Sequence, residues 1–286
     1  MTADRAGGGE DARASAGRRS CAHPEPTGPA RRPLLAATGL SVAYQGSPPA
    51  LTDVTFELHQ GERTAVLGPN GGGKTTLFRA LLGELRPAAG TLAVHGRCAS
   101  VPQTERSRLD FPVSALDVAL MGTLPGRPWW RRPRRADRDA ARAALARVGL
   151  ADRAQRTYGE LSGGQRQRVL IARAIVQDAG VLLLDEPFTG LDAASAAALE
   201  ALLAELAGEG RGVLIATHDL EQARRWGRVL CVNGRQVAFG DPDAVLTPEA
   251  LAATYGGAIV TLPPADGEAP RRVLLPPHHH HHGPAR

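Results

Sequence analysis

The sequence predicts an α/β fold built on a parallel sheet, with short alternating strands before the sheet and a helical subdomain inserted into it. The continuous apolar runs Val181 to Leu184 and Val213 to Ala216 are typical of parallel strands buried on both faces. Residues 40–44 and 51–58 alternate between apolar and polar side chains, as half-buried strands do. Between residues 104 and 160 helical periodicity replaces the strand pattern.

Composition divides the chain into a central domain and two tails. At 286 residues the chain is long enough for one large domain with a subdomain. The N-terminal residues are rich in Gly, Ala, Arg, Ser and Pro and lack apolar periodicity, so we expect them to be disordered. The expected boundaries are a tail at 1–33, a domain at 34–257 with its helical subdomain at about 104–175, and a Pro- and His-rich tail at 258–286.

Composition also excludes several classes of protein. The longest apolar runs fall far short of the roughly 18 residues that span a bilayer, so a membrane role requires a partner. The N-terminal tail lacks the apolar region of a secretory signal. Three scattered cysteines, at 21, 98 and 231, favour a reducing cytosol over a disulfide framework or a zinc site. The net charge of +5 permits contact with nucleic acid or acidic lipid without deciding between them.

A glycine-rich segment between a predicted strand at 64–67 and a predicted helix fits the pattern G-x-x-x-x-G-K-[ST]. Polyphosphate requires a backbone that comes close and directs N–H groups inward, and a helix N-terminus adds partial positive charge. A chance glycine-rich turn before a helix is the alternative interpretation. The segment consists of Gly68, Pro69, Asn70, Gly71, Gly72, Gly73, Lys74, Thr75 and Thr76.

Lys74 is the only lysine among the 34 basic residues of the chain, and all the others are arginine. A compact ammonium fits between two phosphates where a planar guanidinium does not. We therefore expect Lys74 to bridge the β- and γ-phosphates and the Thr75 hydroxyl to bind Mg²⁺.

Two more strand ends carry candidate catalytic groups. The strand ending at Leu184 is followed by Asp185 and Glu186, and the strand ending at Ala216 is followed by Thr217 and His218. Ligands collect at the carboxyl ends of parallel strands. We expect Asp185 to support the Mg²⁺ shell, Glu186 to orient or deprotonate a water, and His218 to sense the γ-phosphate. The alternative for His218 is a structural histidine whose ring forms hydrogen bonds only within the fold.

A second helix with exposed N–H groups is predicted to begin after Leu161. The serine that follows is a good N-cap, and small residues come directly behind it, so the segment also suits phosphate. A purely structural cap is the alternative. The residues concerned are Ser162, Gly163, Gly164 and Gln165.

Three further features stand at predicted strand ends or in loops. Tyr44 precedes the phosphate loop and is suited to stack on an adenine, although a tyrosine on a half-buried strand explains it equally well. Gln103 closes a strand at a loop. The insert Trp129 to Arg135 combines aromatic and basic residues and suits nucleic acid or a membrane surface, but we favour a solvated loop.

Taken in order, these motifs over residues 34–257 resemble the nucleotide-binding subunit of an ATP-binding cassette (ABC) transporter. The resemblance implies a P-loop NTPase ABC ATPase fold with a mixed sheet core, an N-terminal antiparallel β subdomain and an inserted helical signature subdomain. The matching positions are Tyr44 (adenine-stacking aromatic), Gly68 to Thr75 (Walker A), Gln103 (Q-loop), Leu161 to Gln165 (signature LSGGQ), Leu182 to Asp185 with Glu186 (Walker B and catalytic glutamate), Gly190-Leu191-Asp192 (D-loop) and His218 (switch histidine).

The resemblance also implies a mechanism and partners. Two MgATP molecules would lie between two chains, with Ser162, Gly163 and Gly164 of one chain covering the γ-phosphate held by Lys74 of the other. Gln103 would contact the metal and face the permease. The expected partners are a second copy, transmembrane permease subunits and a substrate-binding protein, with no nucleic acid. The expected location is the cytoplasmic face of the cell membrane.

Finer resemblance indicates the cargo. The segments that look like the manganese and zinc importer branch are residues 110–118 followed by 121–122, residues 187–192, and residues 246–251 with 254–257. An iron-chelate importer, an exporter and a soluble cassette ATPase acting on nucleic acid are the alternatives, although the last class usually carries two cassettes or a long coiled coil. His278 to His282 form a run of five imidazoles suited to transition metals. The run is either an affinity tag or a native metal buffer at the exit of such an importer.

Overall fold

The computed structural model describes residues 33–102, 112–125, 132–256, 259–262 and 271–274, the last two segments by their backbone. Several sequence predictions therefore concern residues outside this part of the chain: the N-terminal tail, Gln103, the tryptophan pair at 129–130 and the histidine run at 278–282. The domain boundaries given above stay predictions. Among the described residues, no helix has the length and apolar character needed to cross a membrane.

Strands and helices are interspersed along the described chain. In chain order the elements are β1 (Pro33–Ala43), β2 (Pro49–His59), β3 (Arg63–Leu67), α1 (Lys74–Leu81), β4 (Pro87–Val94), β5 (Cys98–Val101), α2 (Ala115–Leu120), α3 (Arg135–Arg147), α4 (Gly163–Val176), β6 (Val181–Asp185), α5 (Ala193–Gly208), β7 (Gly212–Thr217), α6 (Leu220–Arg224), β8 (Arg228–Val232), β9 (Gln236–Gly240), α7 (Pro242–Val245), α8 (Pro248–Tyr255), β10 (Ile259–Leu262) and β11 (Arg271–Leu274).

The alternating segments near the N-terminus form a three-stranded antiparallel sheet in the order β2-β1-β4. Strand β1 begins at Pro33 and is longer than its alternating part. Its register shifts between Ala37 and Leu40, where Gly39 has a φ of 57°. Because such a bulge interrupts the period of two, apolar alternation reveals only part of the strand.

The buried apolar runs form the centre of a six-stranded sheet in the order β5-β6-β7-β3-β8-β9. The first five strands are parallel, and β9 pairs antiparallel with β8. The two strands are joined at Asn233-Gly234, a dipeptide that predicts a hairpin turn. Val181 to Leu184 have no exposed surface, as expected for a parallel strand covered on both faces. Strands β3 and β6 flank β7 and run parallel to it, so the carboxyl ends of all three strands lie at the same edge of the sheet.

The central sheet separates two apolar clusters. On one face, Val66, Val181 and Leu183 pack with α1 and the antiparallel sheet. On the other face, Leu182 and Leu184 pack with helices α2 to α5. Successive strand residues point to opposite faces, so every buried strand residue contributes to one cluster or the other.

The helical region is fastened to the central sheet through α4. Arg173 donates from Nη2 to the Ser100 carbonyl at 2.9 Å, and Gln177 donates from Nε2 to the Cys98 carbonyl at 3.1 Å. The short 3-10 turn that follows α2, Met121–Thr123, lies so close to α4 that a Cβ on Gly122 would be 2.2 Å from the Arg173 carbonyl oxygen. The helix that follows Ser162 is thereby attached to β5.

The C-terminal region differs from its prediction in two places. The sequence predicts one closing helix from Asp241 to Gly256, but the structure has two, α7 and α8, with a break before Pro248. The Pro- and His-rich tail contains the antiparallel pair β10 and β11. The two short apolar segments are separated in sequence by a Pro-rich segment. The composition of the tail as a whole therefore did not predict that they pair as strands.

Replacing Gly122 with alanine tests the packing of the turn after α2 against α4. The new methyl group has no room, so we expect the free energy of unfolding to fall by about 2 kcal/mol. Gly208→Ala is the matched control because no atom lies within 4 Å of its added Cβ, and a helix favours alanine. Urea unfolding measures both variants. Equal stability of the two would contradict the close contact.

Candidate functional site

The predicted phosphate loop joins β3 to α1. Gly71 and Gly73 have φ angles of 79° and 99°, which side chains rarely adopt. Helix α1 begins at Lys74 without a side-chain cap and without an acidic residue in its first turn. Its first N–H groups and the positive end of its dipole are therefore available to an anion.

The same loop is packed against neighbouring backbone. A Cβ on Gly68 would lie 2.2 Å from the Val232 carbonyl oxygen, and a Cβ on Gly73 would lie 2.8 Å from Cδ1 of Leu51. The Gly234 N–H donates to the Gly72 carbonyl at 3.0 Å. Position 68 therefore requires glycine because the backbone at Val232 is close to it, and not because a ligand must approach there.

Lys74 is buried beneath the loop with 7% of its surface exposed. Its Nζ donates to the carbonyls of Gly68 at 2.6 Å and Pro69 at 3.1 Å. Burial lowers the pKa of Lys74, while the carboxylates of Glu186 and Asp185 oppose that shift. An ammonium has three donors, so one donor is left for a ligand after the two loop carbonyls.

A cavity of about 540 Å³ opens above the loop and brings together most of the predicted site residues. The residues Ser162, Gly163, Gly164, Gln165, Asp192 and His218 are not among those that line it. Gly68 and Gly72 also do not line it. The lining consists of Tyr44, Pro69, Asn70, Gly71, Gly73, Lys74, Thr75, Thr76, Asp185 and Glu186.

Glu186 lies between this cavity and a second one. It follows β6 with a φ of 47°, and its N–H donates to the Ala216 carbonyl at 3.0 Å. The left-handed backbone turns the chain sharply after a buried strand, an arrangement often found at functional sites. The second cavity, of about 300 Å³, is lined by Glu186, Phe188, Thr189, Gly190, Thr217, His218, Asp219 and Gln222.

The Glu186 carboxylate has a partner at each oxygen. His218 Nδ1 lies 3.4 Å from Oε1, and the Thr189 hydroxyl donates to Oε2 at 3.3 Å. The His218 side chain is 66% exposed, so it is not buried within the fold. The three side chains form a cluster at the carboxyl ends of β6 and β7.

Ser162 caps α4 as the sequence predicts. Its hydroxyl accepts from the Gln165 N–H at 3.3 Å, and the Gln165 Oε1 accepts from the Ser162 N–H at 3.1 Å, which completes a capping box. A Cβ on Gly164 would lie 3.1 Å from Cδ2 of Leu191. The two segments at 162–165 and 190–192 are therefore neighbours. Neither segment lines the phosphate cavity.

Asp192 caps α5. Its carboxylate accepts from the Ser195 N–H at 2.8 Å and from the Ser195 hydroxyl at 2.9 Å. These two bonds, the backbone one first, lower the pKa of Asp192. Asp192 therefore has a structural function in addition to any contact with a partner.

Sequence reasoning missed two residues that contact the site. The Arg79 guanidinium lies over the Tyr44 ring, 5.4 Å from its centroid, and Thr189 contacts Glu186. Arg79 follows Thr76 by three residues, so helical periodicity places both on one face of α1. The Thr189 contact depends on the turn after β6, which leaves no periodic signal.

The comparisons agree on one family. The model of the ABC transporter family matches residues 51–189. The manganese transport system ATP-binding protein MntB of Bacillus subtilis is 41% identical over 232 residues, which are 78% of this chain and 92% of the relative. The zinc transport system ATP-binding protein TroB of Treponema pallidum is 41% identical over 229 residues, 77% of this chain and 86% of the relative. A solved metal-chelate type ABC transporter in an inward-facing conformation matches with a TM-score of 0.75 at 33% identity, over 85% of this chain and 97% of that chain.

The strand, glycine-rich loop and helix, with carboxylates at the end of a second parallel strand of the same sheet, define a P-loop nucleotide-binding ATPase. The chain belongs to the ABC transporter family, among its ATP-binding subunits. The predicted ABC ATPase fold is thus confirmed. As the ATPase of a membrane transport system, the chain binds nucleotide and acts with permease subunits as a peripheral component.

Replacing Lys74 with arginine tests the requirement for a compact cation. The ammonium is buried 2.6 Å from a loop carbonyl, and a guanidinium is too large for that place. We expect both Lys74→Arg and Lys74→Ala to lower kcat/KM for ATP on the order of 10²-fold. Steady-state ATPase assays measure the effect, with Arg142→Lys on the exposed face of α3 as the control. Wild-type hydrolysis by Lys74→Arg would disprove the size argument.

Thr189→Val removes the hydroxyl that contacts Glu186 and keeps the shape of the side chain. We expect kcat for ATP hydrolysis to fall roughly threefold to tenfold with KM unchanged, because one hydrogen bond to a charged group is lost. Thr189→Ser restores the hydroxyl and serves as the matched control. Equal losses in both variants would show that the hydroxyl does not position Glu186.

Proposed function

We propose that this chain is the ATP-hydrolysing subunit of an importer for a divalent metal, manganese or zinc. The observation that carries the ATPase part is the cavity in which a buried lysine, a loop of bare glycines and two carboxylates face one another. The cargo is supported by the relatives MntB and TroB and by the sequence features around residues 110–122, 187–192 and 246–257.

The described residues fit MgATP. The triphosphate would lie on the N–H groups of residues 69–76 against Lys74, with the base against Tyr44. The Thr75 hydroxyl and Asp185 supply oxygen donors of the kind that Mg²⁺ prefers, and Gln103 would add another from outside the described residues. When bound, Mg²⁺ neutralises charge on the β- and γ-phosphate oxygens.

Glu186 would act on the attacking water. Its carboxylate borders the phosphate cavity, and His218 and Thr189 hold its two oxygens. Held in this way, Glu186 would orient the water and accept its proton, while His218 would respond to the γ-phosphate.

The signature residues would act on a second chain. Ser162 to Gln165 and Asp192 lie outside the lining of the phosphate cavity of their own chain. Ser162 to Gln165 nevertheless form a second helix N-terminus with half-buried glycines, and Asp192 caps the next helix. A homodimer in which each chain covers the other's nucleotide would give both segments a ligand. Partnership with a substrate-binding protein and a position at the cytoplasmic face of the membrane complete this proposal.

Transport by the reconstituted complex tests the cargo. The chain, its permease and its binding protein would be placed in proteoliposomes and supplied with Mn²⁺, Zn²⁺ or a ferric chelate. We expect ATP-dependent uptake of Mn²⁺ or Zn²⁺. Uptake restricted to the ferric chelate would support the iron-chelate alternative, and ATP hydrolysis without uptake of any metal would reject the cargo.

Glu186→Gln tests the assignment of the general base. The amide keeps the shape of the side chain but cannot accept a proton, so we expect kcat to fall about 10²-fold or more while MgATP still binds. With the phosphate cradle intact, the variant should accumulate as an ATP-bound dimer in size-exclusion chromatography. Glu205→Gln on α5 is the control, and undiminished hydrolysis without dimer would point to another base.

A further inference from the structure

Tyr44, at the mouth of the phosphate cavity, is held by two residues of α1. Its hydroxyl lies 3.2 Å from the Thr76 hydroxyl, and the Arg79 guanidinium lies over its ring at 5.4 Å from the centroid. Thr76 and Arg79 are three residues apart and so share a face of the helix. One contact fixes the tip of the ring, and the other covers one of its faces.

The end of α1 in turn holds Arg79. Gly83 has a φ of 77°, its N–H donates to the Ala80 carbonyl at 2.9 Å, and the Glu84 N–H donates to the Arg79 carbonyl at 2.9 Å. These two bonds form a Schellman motif, which folds the chain back along the last turn. Glu84 thereby lies beside Arg79, whose Nε donates to Glu84 Oε2 at 3.0 Å.

We propose that Arg79, held by Glu84, is a positioning residue that fixes Tyr44 for stacking of the nucleotide base. The inference rests on the proposed function, because it assumes a nucleotide in the cavity. An aromatic ring has two faces that can stack, and a guanidinium on one of them leaves the other to the base. A ring that is fixed before binding also loses less conformational entropy when the base arrives.

Helix α1 would then determine the positions of both the base and the phosphates of the nucleotide. Its N-terminus faces the phosphates, and Thr76 and Arg79 fix the ring that receives the base. Because both sets of contacts come from one short helix, the distance between base site and phosphate site is constant. Arg79 would therefore contribute to the binding of nucleotides and not to that of a triphosphate that lacks a base.

Comparison of ATP with inorganic tripolyphosphate tests this inference. The ATPase assay gives KM and kcat for ATP and, by competition, the inhibition constant of magnesium tripolyphosphate. For Arg79→Ala we expect KM for ATP to rise about threefold, the size of an exposed cation–π contact, with kcat and the tripolyphosphate constant unchanged. Glu84→Gln should cause a smaller change in the same direction.

Two reference variants make the outcome decisive. Tyr44→Ala should raise KM for ATP more than Arg79→Ala does, and adding Arg79→Ala to it should have no further effect. Arg142→Ala, which removes another exposed arginine paired with an acidic residue, should leave every constant unchanged.

The possible failures differ from one another. Equal weakening of ATP and tripolyphosphate by Arg79→Ala would show that Arg79 acts on phosphates or on the fold, and an unchanged KM would show that it does not act on Tyr44. Either result overturns the inference and leaves the proposed function intact. If Tyr44→Ala itself leaves the ratio of the ATP and tripolyphosphate constants unchanged, the base site of the proposed function is wrong, and this inference falls with it.

Discussion

The site depends on the close packing of the phosphate loop against the end of the central sheet. At Gly68 the loop backbone is too close to the Val232 carbonyl for any side chain, and at Gly72 it accepts a hydrogen bond from the β8–β9 turn. These contacts fix where α1 begins. The direction of its N–H groups, the burial of Lys74 and the position of Tyr44 all follow from that starting point.

Glu186 connects the two cavities because the chain turns immediately after a buried strand. A left-handed residue at that point keeps the carboxylate at the sheet edge, where residues from β6, β7 and the following turn can reach it. Its two oxygens contact groups from different segments, His218 and Thr189. A change at either segment therefore reaches the carboxylate directly.

The helical region contains a second helix N-terminus, that of α4, and this N-terminus is capped by residues of its own segment. Ser162 and Gln165 satisfy each other's backbone groups, and a Cβ added to Gly163 would meet no atom within 4 Å. The beginning of α4 is therefore stable without a ligand and still has an accessible backbone. Hydrogen bonds from Arg173 and Gln177 attach the other end of α4 to β5, so the helix is held at both ends.

The sequence by itself determined the fold class and most of the cavity. Buried apolar strands, bare glycines and a lone lysine each have a local physical cause that leaves a pattern along the chain. It also placed Ser162 at a cap and the hairpin at Asn233-Gly234, because capping and turn chemistry act over a few residues. Only the tertiary structure decided that Arg79 covers Tyr44, that Thr189 reaches Glu186, and that β1 continues through a bulge. Each of these features depends on contact between segments that are distant in sequence or on a single backbone angle. Neither cause produces a periodic pattern in the sequence.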